Sequence, residues 1–371
     1  MIYREREKAA IPPNFYKQER WVDTLEKVKK DVRRPTRNDV AKLAGVSPAV
    51  VSFVLNDSNY VSDSKRKAVL NAIEQLNYYP NVMAQGLKKS KTSQIAIVCD
   101  NVVHNEWLYL IEKKLYEKGY YVTMCHCRPE DGFLQMILQR HYDGVFLMSG
   151  FFNAKQLNSF VEQGPPLVFY KTRPYDNLNS RIATVAPDYY EGIGKAVDYL
   201  ALNGHERIAL IPPARYPSAG LKGDDFRTAG YVAALEKHCL TIDEELICKN
   251  TETEESICQD VFYMLASNLK RPTALIVVND YLASRVMKFV MKMGLRVPQD
   301  VSIIGADNSN VATVASPELT TIDFSKEDLA NNVSNRLIDM IQGKDAFEDI
   351  FLPTRLIIRD STCPVSALEG S

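Results

Sequence analysis

The residues that follow position 46 carry small, apolar and hydroxyl side chains at spacings that could read DNA bases. On a helix beginning near Ser47, Ala49 and Phe53 stand four residues apart on the face opposite Val51. Methyl and aromatic groups on such a face can contact thymine methyl groups, whereas bidentate hydrogen bonds to bases need longer polar side chains. The pattern predicts readout by apolar contact and groove shape, with Phe53 as a core residue in the alternative interpretation. The predicted base-reading residues are Pro48, Ala49, Ser52 and Phe53.

Polar and basic side chains around this face could bind phosphate oxygens. Hydroxyl, amide and cationic groups supply most phosphate contacts in DNA complexes. Residues 1–92 contain 18 Lys/Arg against 10 Asp/Glu, and the remaining residues contain 27 against 36. A basic module before an acidic one indicates a polyanionic partner, and a solvated basic segment is the alternative. The phosphate candidates are Thr36, Ser47, Ser52, Asn56, Ser62, Lys65 and Arg66.

Three short helices over residues 36–79 are predicted to position these side chains. Thr36 and Asp39 have the spacing of a capping box, and Gly45 ends the first helix. Ser47 caps the second helix, and Ser62 caps a third helix that runs to about residue 76. Two short helices joined by a tight turn are typical of a helix-turn-helix. Its predicted apolar set is Val40, Ala44, Val46, Val51, Val54 and Leu55.

From residue 94 onward, apolar runs of strand length alternate with amphipathic helices. This alternation is typical of an α/β fold with parallel sheets, and the number of runs fits two doubly wound lobes. Because ligands in such folds bind beyond the carboxyl ends of the strands, we expect a small-molecule site between the lobes. The eight runs are IAIVCD, YVTMCHC, GVFLMSG, PLVFYK, IATVA, RIALI, ALIVV and VSIIGAD.

Patterns for catalysis, metals or cofactors are poor. Gly192 and Gly194 are not followed by the third glycine of a dinucleotide-binding loop. The triplet at residues 125–127 (CHC) alternates along a predicted strand, so neighbouring side chains point to opposite faces and cannot close one metal site. The sequence has no run of 18 apolar residues and no export signal. We predict a cytoplasmic, nucleoid-associated protein that is not an enzyme and uses no metal or cofactor.

Residues 34–98, from RPTRNDV to IAIV, resemble the headpiece of the lactose-repressor/galactose-repressor family nearly end to end. Further matches are NGHERIALI at 203–211, FRTAGYVAAL at 226–235, VPQDVSIIGADN at 297–308, PELTTI at 317–322 and LPTRLIIRDST at 352–362. The resemblance covers roughly residues 35–362. It implies an all-α helix-turn-helix headpiece plus an α/β two-lobed sensor that is similar to periplasmic sugar-binding proteins, in which the chain crosses between the lobes three times.

The resemblance also implies a division of the chain. Residues 80–90 (PNVMAQGLKKS) would form a hinge helix that folds on operator DNA and inserts Leu87 into the minor groove, with Asn81 and Ala84 as further DNA contacts. In the alternative, Leu87 packs between domains. The predicted parts are an extension at 1–34, the headpiece at 35–79, the hinge helix and linker at 80–92, the effector-binding domain at 93–362 and a tail at 363–371. One lobe would comprise about 93–186 with 322–352, and the other 187–321 with 353–362.

Three residues match the family's ligand-contacting positions: Arg227, Asn279 and Asp307. Such groups can hydrogen-bond several hydroxyls, while Trp107 could cover an apolar ring face. Lys171 stands where many members have an acidic residue, and Arg173 follows it. We therefore predict a sugar-derived, anionic effector held by Arg227 and Lys171, the alternative being a neutral sugar and a solvated Lys171.

The whole pattern predicts a homodimeric repressor or activator that binds double-stranded, pseudo-palindromic operator DNA under the control of a small metabolite. A dimer is favoured over a tetramer because the tail lacks heptads. A solute-binding protein built on the same lobes and an enzyme fused to a DNA-binding module are the alternatives. Residues 14–32 could form an amphipathic helix that docks on a partner or contacts DNA, or could reflect a start codon assigned too early.

Overall fold

The computed structural model describes residues 34–79, 91–100, 107–128, 130, 132–212, 225–266 and 271–365. The chain divides into two compact units, Met1–Gln85 and Gly86–Ser371, and this division falls within the predicted hinge segment 80–92. We call residues 34–79 the headpiece and residues 91–365 the sensor. Residues 1–33, the predicted hinge helix at 80–90 and residues 366–371 lie outside the described residues.

Capping starts two of the three headpiece helices as the sequence predicts. Helix α1 (Arg37–Ala44) follows Thr36, whose hydroxyl accepts from the Asp39 backbone N–H at 3.4 Å while the Asp39 carboxylate accepts from the Thr36 N–H at 2.8 Å. Gly45 ends α1 with a φ of 64°, a left-handed conformation that glycine adopts without strain. Helix α2 (Pro48–Asn56) follows Ser47, whose hydroxyl accepts from the Val50 N–H at 3.4 Å.

The predicted cap of the third headpiece helix is not formed. Helix α3 (Asp63–Gln75) begins after Ser62, but the Ser62 side chain makes no capping hydrogen bond, because its hydroxyl pairs with that of Ser64 at 3.3 Å. The three helices enclose a small core in which the predicted Val40, Val51 and Val54 are buried. The remaining buried members of this core are Ala41, Val61, Val69, Ala72 and Tyr78.

The sensor contains two sheets. The first has the order β10-β5-β4-β3-β1-β2 and is parallel throughout. The second has the order β11-β9-β8-β7-β6 and is parallel except for β11. The strands are β1 (Gln94–Cys99), β2 (Tyr121–His126), β3 (Gly144–Met148), β4 (Leu167–Phe169), β5 (Ile182–Pro187), β6 (Ile208–Ile211), β7 (Ala274–Val277), β8 (Ser302–Ala306), β9 (Thr320–Phe324), β10 (Asp349–Leu352) and β11 (Thr354–Ile357).

Helices cover both faces of each sheet, because alternate strand residues point to opposite sides and both sides are apolar. In the first sheet, Ile95 and Ile97 pack towards α4 and α12, whereas Ala96 and Val98 pack towards α5 and α6. The second sheet is covered by α9 and α10 on one face and by α7 and α8 on the other. The helices are α4 (Trp107–Glu117), α5 (Phe133–Leu138), α6 (Ala154–Gln163), α7 (Tyr189–Leu202), α8 (Phe226–Lys237), α9 (Glu254–Ala266), α10 (Asp280–Lys292), α11 (Asn310–Val314) and α12 (Lys326–Ile341), and residues Glu244–Leu246 form a 3₁₀ turn.

The chain passes between the two sheets three times: between β5 and α7, between β9 and α12, and between β10 and β11. The predicted lobe boundary at residue 322 is wrong, because it cuts β9, which belongs entirely to the second sheet. Strands β9, β10 and β11 are absent from the eight predicted apolar runs. Strand β9 (TTIDF) is buried but contains polar residues, and β10 and β11 each have only one buried residue, so none shows a continuous apolar run.

The predicted tail boundary at residue 363 is also too early. The Cys363 N–H donates to Ser302 Oγ at 3.1 Å, the Cys363 carbonyl lies 2.9 Å from a ring nitrogen of His205, and the Val365 N–H donates to the Asn203 carbonyl at 3.0 Å. These contacts fasten residues 363–365 to the second lobe.

No single helix among the described residues is long and apolar enough to cross a membrane. Helices α1 and α2 meet the length and composition criterion only as a pair, which is bent by 103°.

Candidate functional site

The headpiece exposes the start of α2. Pro48 and Ala49 are exposed, and Ser52 is half-buried. Phe53 is also half-buried, and its ring packs partly against the headpiece core. The exposed part of the ring is available to DNA and the covered part supports the helix, so both interpretations of Phe53 describe part of its surface.

The phosphate candidates differ in what already holds them. Thr36 and Ser47 are engaged as helix caps, which leaves their positions fixed at the two helix starts. The Asn56 amide donates to the Ser52 carbonyl at 2.8 Å, and Lys65 is exposed. Arg66 forms a 2.8 Å ion pair with a strongly exposed Asp57 carboxylate. Because exposed ion pairs contribute little free energy, this pair can be exchanged for a phosphate at small cost. Asn81, Ala84 and Leu87 lie outside the described residues, and their roles stay predictions.

In the sensor, the two lobes meet at a group of polar side chains that we call the Arg227 cluster: Tyr170, Tyr189, Asp225, Arg227 and Asp307. Tyr170 follows β4 of the first sheet and Asp307 follows β8 of the second, so both stand at carboxyl ends of strands. Asp225 caps α8 and accepts from the Arg227 N–H at 2.7 Å, which fixes Arg227 in the first turn.

Arg227 and Asp307 are brought together around Tyr189. The Tyr189 hydroxyl donates to Asp307 Oδ1 at 2.9 Å, and the Arg227 guanidinium carbon lies 4.2 Å from the centre of the Tyr189 ring. Arg227 also pairs with Asp225 at 3.2 Å, yet its Nε has no hydrogen-bond partner among the described residues. The Tyr170 hydroxyl lies 2.8 Å from that of Tyr189.

Burial sets the charges of this cluster. It raises the pKa of Tyr189 and Tyr170 well above their usual values, so both phenols stay neutral. Burial also raises the pKa of Asp307, although the Tyr189 hydrogen bond and the Arg227 charge act in the opposite direction. Burial disfavours the charge of Arg227, but Asp225, Asp307 and the two tyrosines together outweigh burial, so the pKa of Arg227 is raised. The cluster therefore offers a cation, a carboxyl group and neutral hydroxyls.

The turn that carries Asp307 has an unusual backbone. Asp307 has a φ of 93° and Asn308 a φ of 43°, both in the left-handed region that non-glycine residues rarely adopt. Asp280 holds this turn by accepting from the Ser309 N–H at 2.7 Å and from the Thr321 hydroxyl at 2.6 Å. Burial, assisted by the nearby Asp307 charge, raises the pKa of Asp280 to about 7.

Two of the predicted effector-contacting residues, Asn279 and Trp107, have structural roles within the sensor. Asn279 caps α10 by accepting from the Leu282 N–H at 2.8 Å. Trp107 is only 5% exposed, and its ring stacks on Tyr170 with centroids 5.6 Å apart. Trp107 therefore reaches the Arg227 cluster through Tyr170 and offers little surface of its own to a ligand.

Lys171 does not add free positive charge to the sensor. Its Nζ forms a 2.8 Å ion pair with Asp349, which also accepts from the Thr184 hydroxyl at 2.6 Å. Burial opposes the charge of Asp349, but these two contacts lower its pKa nevertheless. Arg173 donates to the Gly150 carbonyl at 2.9 Å. The Lys171 charge that motivated an anionic effector is thus compensated within the protein by Asp349.

Sequence reasoning missed Tyr170, Tyr189, Asp225 and Asp280. Asp225 immediately precedes the matched FRTAG segment, and Asp280 immediately follows Asn279, so both could have been found as polar neighbours of matched residues. The tyrosine pair carries no local signal. Among the described residues, no group of three or more His, Cys, Asp or Glu could hold a metal ion.

Two family models match the chain. Residues 36–81 match the model described as bacterial regulatory proteins, lacI family, and residues 197–362 match the periplasmic binding protein-like domain. The NTD biosynthesis operon regulator NtdR of Bacillus subtilis (strain 168) is 32% identical over 337 residues, which cover 88% of this chain and 100% of that protein. The HTH-type transcriptional repressor PurR of Actinobacillus pleuropneumoniae serotype 3 (strain JL03) is 32% identical over 314 residues, which cover 83% of this chain and 91% of that protein.

Solved structures show the same fold. The lac repressor dimer bound to operator and the anti-inducer ONPF superposes with a TM-score of 0.73 at 24% identity, covering 89% of this chain and all of that one. The transcriptional regulator CelR in complex with cellobiose gives a TM-score of 0.61 at 26% identity, covering 88% and 100%. The match of residues 36–81 to a DNA-binding regulatory family disfavours the alternative of a solute-binding protein. The chain therefore belongs to the lacI family of bacterial regulatory proteins, and it is a DNA-binding transcriptional regulator.

Proposed function

We propose that this regulator is a repressor whose affinity for operator DNA is controlled by a small, hydroxyl-rich metabolite bound at the Arg227 cluster. The observation that carries the proposal is the buried cluster itself: a paired Arg227 with an unpartnered Nε, beside the Asp307 carboxyl group, where two lobes meet. Buried polar groups that are incompletely paired within the protein are those that a polar ligand can satisfy. The chain binds this ligand without catalysing a reaction on it.

The effector that these groups fit is neutral and sugar-like. Asp225 and Asp349 compensate the charges of Arg227 and Lys171, the two cations that were predicted to hold an anion. Hydroxyl groups can both donate to Asp307 and accept from Arg227 Nε–H. The described complex of CelR with cellobiose supports a sugar-like ligand for this fold.

On the DNA side, we propose that the exposed start of α2 enters the major groove. Pro48 and Ala49 would contact base edges, while the capped helix starts at Thr36 and Ser47 and the Arg66 side chain would contact phosphates. Residues 80–90 would supply the hinge contact through Leu87, which remains a prediction from the sequence. The protein would act in the cytoplasm, on the nucleoid.

A pseudo-palindromic operator requires two headpieces, so we propose a homodimer. Three exposed tyrosines on α4 and β2, namely Tyr109, Tyr116 and Tyr121, offer an apolar face for a second copy. Tyr121→Lys should shift the sedimentation equilibrium towards monomer. Tyr263→Lys, at an equally exposed tyrosine on α9, should not. A dimer unaffected by Tyr121→Lys would place the interface elsewhere.

The proposed function is tested by selecting genomic DNA fragments with the purified chain and measuring their binding by fluorescence anisotropy. Ala49→Glu should weaken specific binding by about 1–3 kcal/mol more than Leu70→Glu, which adds the same charge at an exposed position on α3. Metabolites that raise the melting temperature are then added to the DNA complex. At about 100-fold saturation, a ligand of the folded sensor contributes about 2.7 kcal/mol. If no such ligand changes operator affinity, the regulatory proposal is wrong.

A further inference from the structure

Tyr189 makes the interactions that a ligand would make between Asp307 and Arg227. Its hydroxyl donates to Asp307 Oδ1 at 2.9 Å, as a ligand hydroxyl would. Its ring lies under the Arg227 guanidinium group at 4.2 Å, as the apolar face of a ligand ring would. One protein side chain therefore satisfies one oxygen of the carboxyl group and covers one face of the cation.

Tyr189 is fixed in this position from the other lobe. Because the Tyr189 hydroxyl gives its proton to Asp307, the Tyr170 hydroxyl at 2.8 Å must be the donor in the tyrosine pair. Tyr170 in turn stacks on Trp107 at 5.6 Å, and both tyrosines belong to the apolar core of the first lobe. Tyr189 is only 3% exposed. Displacing it would break two hydrogen bonds and open a buried cavity the size of a phenol, so a ligand must fit beside it.

We propose that Tyr189 is a built-in occupant of the position between Asp307 and Arg227, and that it determines which effectors this chain accepts. This inference rests on the proposed function, because it takes the Arg227 cluster to be the effector site. The effector must lack a hydroxyl-bearing group at the Tyr189 end of the site. It engages the groups that Tyr189 leaves open, above all the unpartnered Arg227 Nε–H.

The experiment compares how D-ribose, D-glucose and cellobiose bind the full chain and its variants, by calorimetry and by the shift of the melting temperature. Tyr189→Ser removes the ring and frees Asp307. We expect this variant to bind at least one of the three sugars at least tenfold more tightly than the wild type does. The gain should disappear in Tyr189→Ser/Asp307→Ala. Tyr231→Ser is the matched control, since Tyr231 is an equally buried tyrosine whose hydroxyl donates to the Ile208 carbonyl at 2.7 Å. This control variant should bind none of the three sugars more tightly than the wild type does.

Tyr189→Phe keeps the ring and removes only the hydroxyl, so it provides a second variant if Tyr189→Ser does not fold. This variant should also bind the same sugar more tightly than the wild type does, but by a smaller factor than Tyr189→Ser, because Asp307 Oδ1 becomes an open acceptor. Sugar binding identical to that of the wild type in every folded Tyr189 variant would overturn the proposal, as would a gain that persists without Asp307. These measurements use no DNA. A sensor whose ligands fail to affect operator binding would therefore refute the regulatory proposal alone, whereas unchanged sugar binding would refute the role of Tyr189 alone.

Discussion

The raised pKa of Asp280 predicts that Asp280→Asn changes how the stability of the sensor depends on pH. Asp280 is fully buried, and its pKa rises from 3.8 to about 7 on folding. Between those values the folded protein holds a proton that the unfolded chain releases. The stabilisation is complete below about pH 4 and is lost as the pH rises through 7. At about 1.4 kcal/mol per pKa unit, the loss across this window is about 4 kcal/mol.

The amide that replaces the carboxyl group in the Asp280→Asn variant would not titrate, so the variant should lack this slope. The Asn NH₂ group would also face one of the two groups that now donate to Asp280, the Ser309 N–H or the Thr321 hydroxyl, so a donor would meet a donor. That cost does not vary with pH and shifts the whole curve. We therefore expect the free-energy difference between wild type and variant to fall by about 4 kcal/mol between pH 4 and pH 7.5.

The assay is urea unfolding followed by circular dichroism at several pH values in that range. Asp300→Asn is a control of opposite sign, because hydrogen bonds from Arg296 lower the pKa of Asp300 to about 2. Its contribution is present above about pH 4 and is lost as the pH falls towards 2, so Asp300→Asn should alter the curve only below the Asp280 window. Parallel curves for wild type and Asp280→Asn from pH 4 to pH 7.5 would refute the reasoning.

Packing, capping and charge each give one further prediction. Gly230→Ala should lower the free energy of unfolding by about 1–3 kcal/mol, because the added methyl group would overlap a backbone carbonyl at the start of α7. Gly194→Ala is the control and should be tolerated, because a methyl group there meets no atom within 4 Å. Ser47→Ala should destabilise the headpiece by about 1 kcal/mol in thermal unfolding, and Ser62→Ala should cost less, since only Ser47 makes a capping hydrogen bond; equal losses would contradict this. Lys171→Ala should leave the calorimetric affinity for the effector unchanged, because its ammonium group is paired within the first lobe; a loss of about 2–5 kcal/mol would instead support an anionic effector.

The headpiece could be predicted in detail because its signals are local. The capping box at Thr36 and Asp39, the left-handed Gly45 and the cap at Ser47 all act within four residues of sequence, and each is present in the structure. Ser62 has the right residue type at the right place, but its hydroxyl found another partner. A cap residue in the sequence thus predicts where a helix begins more securely than it predicts the hydrogen bond.

The sensor site was less predictable because its contacts join distant parts of the chain. Lys171 pairs with Asp349, 178 residues away, since β10 lies next to β5 in the first sheet. The Tyr170–Tyr189 contact depends on how the end of β4 meets the start of α7. Neither pairing leaves a periodicity or a motif in the sequence. Resemblance could point to Arg227 and Asp307 as candidate residues, but not to the tyrosine side chain that lies between them.

The stack of Trp107 on Tyr170 makes the Arg227 cluster optically visible. The chain contains two tryptophans, and the other, Trp21, lies outside the sensor. In a Trp21→Phe background, all indole emission comes from a ring that is 5% exposed and stacked on the tyrosine whose hydroxyl contacts Tyr189. A ligand that alters the tyrosine pair alters the polarity and quenching around that ring. We therefore expect effector binding at the proposed site to be observable in real time by stopped-flow fluorescence, with no attached dye.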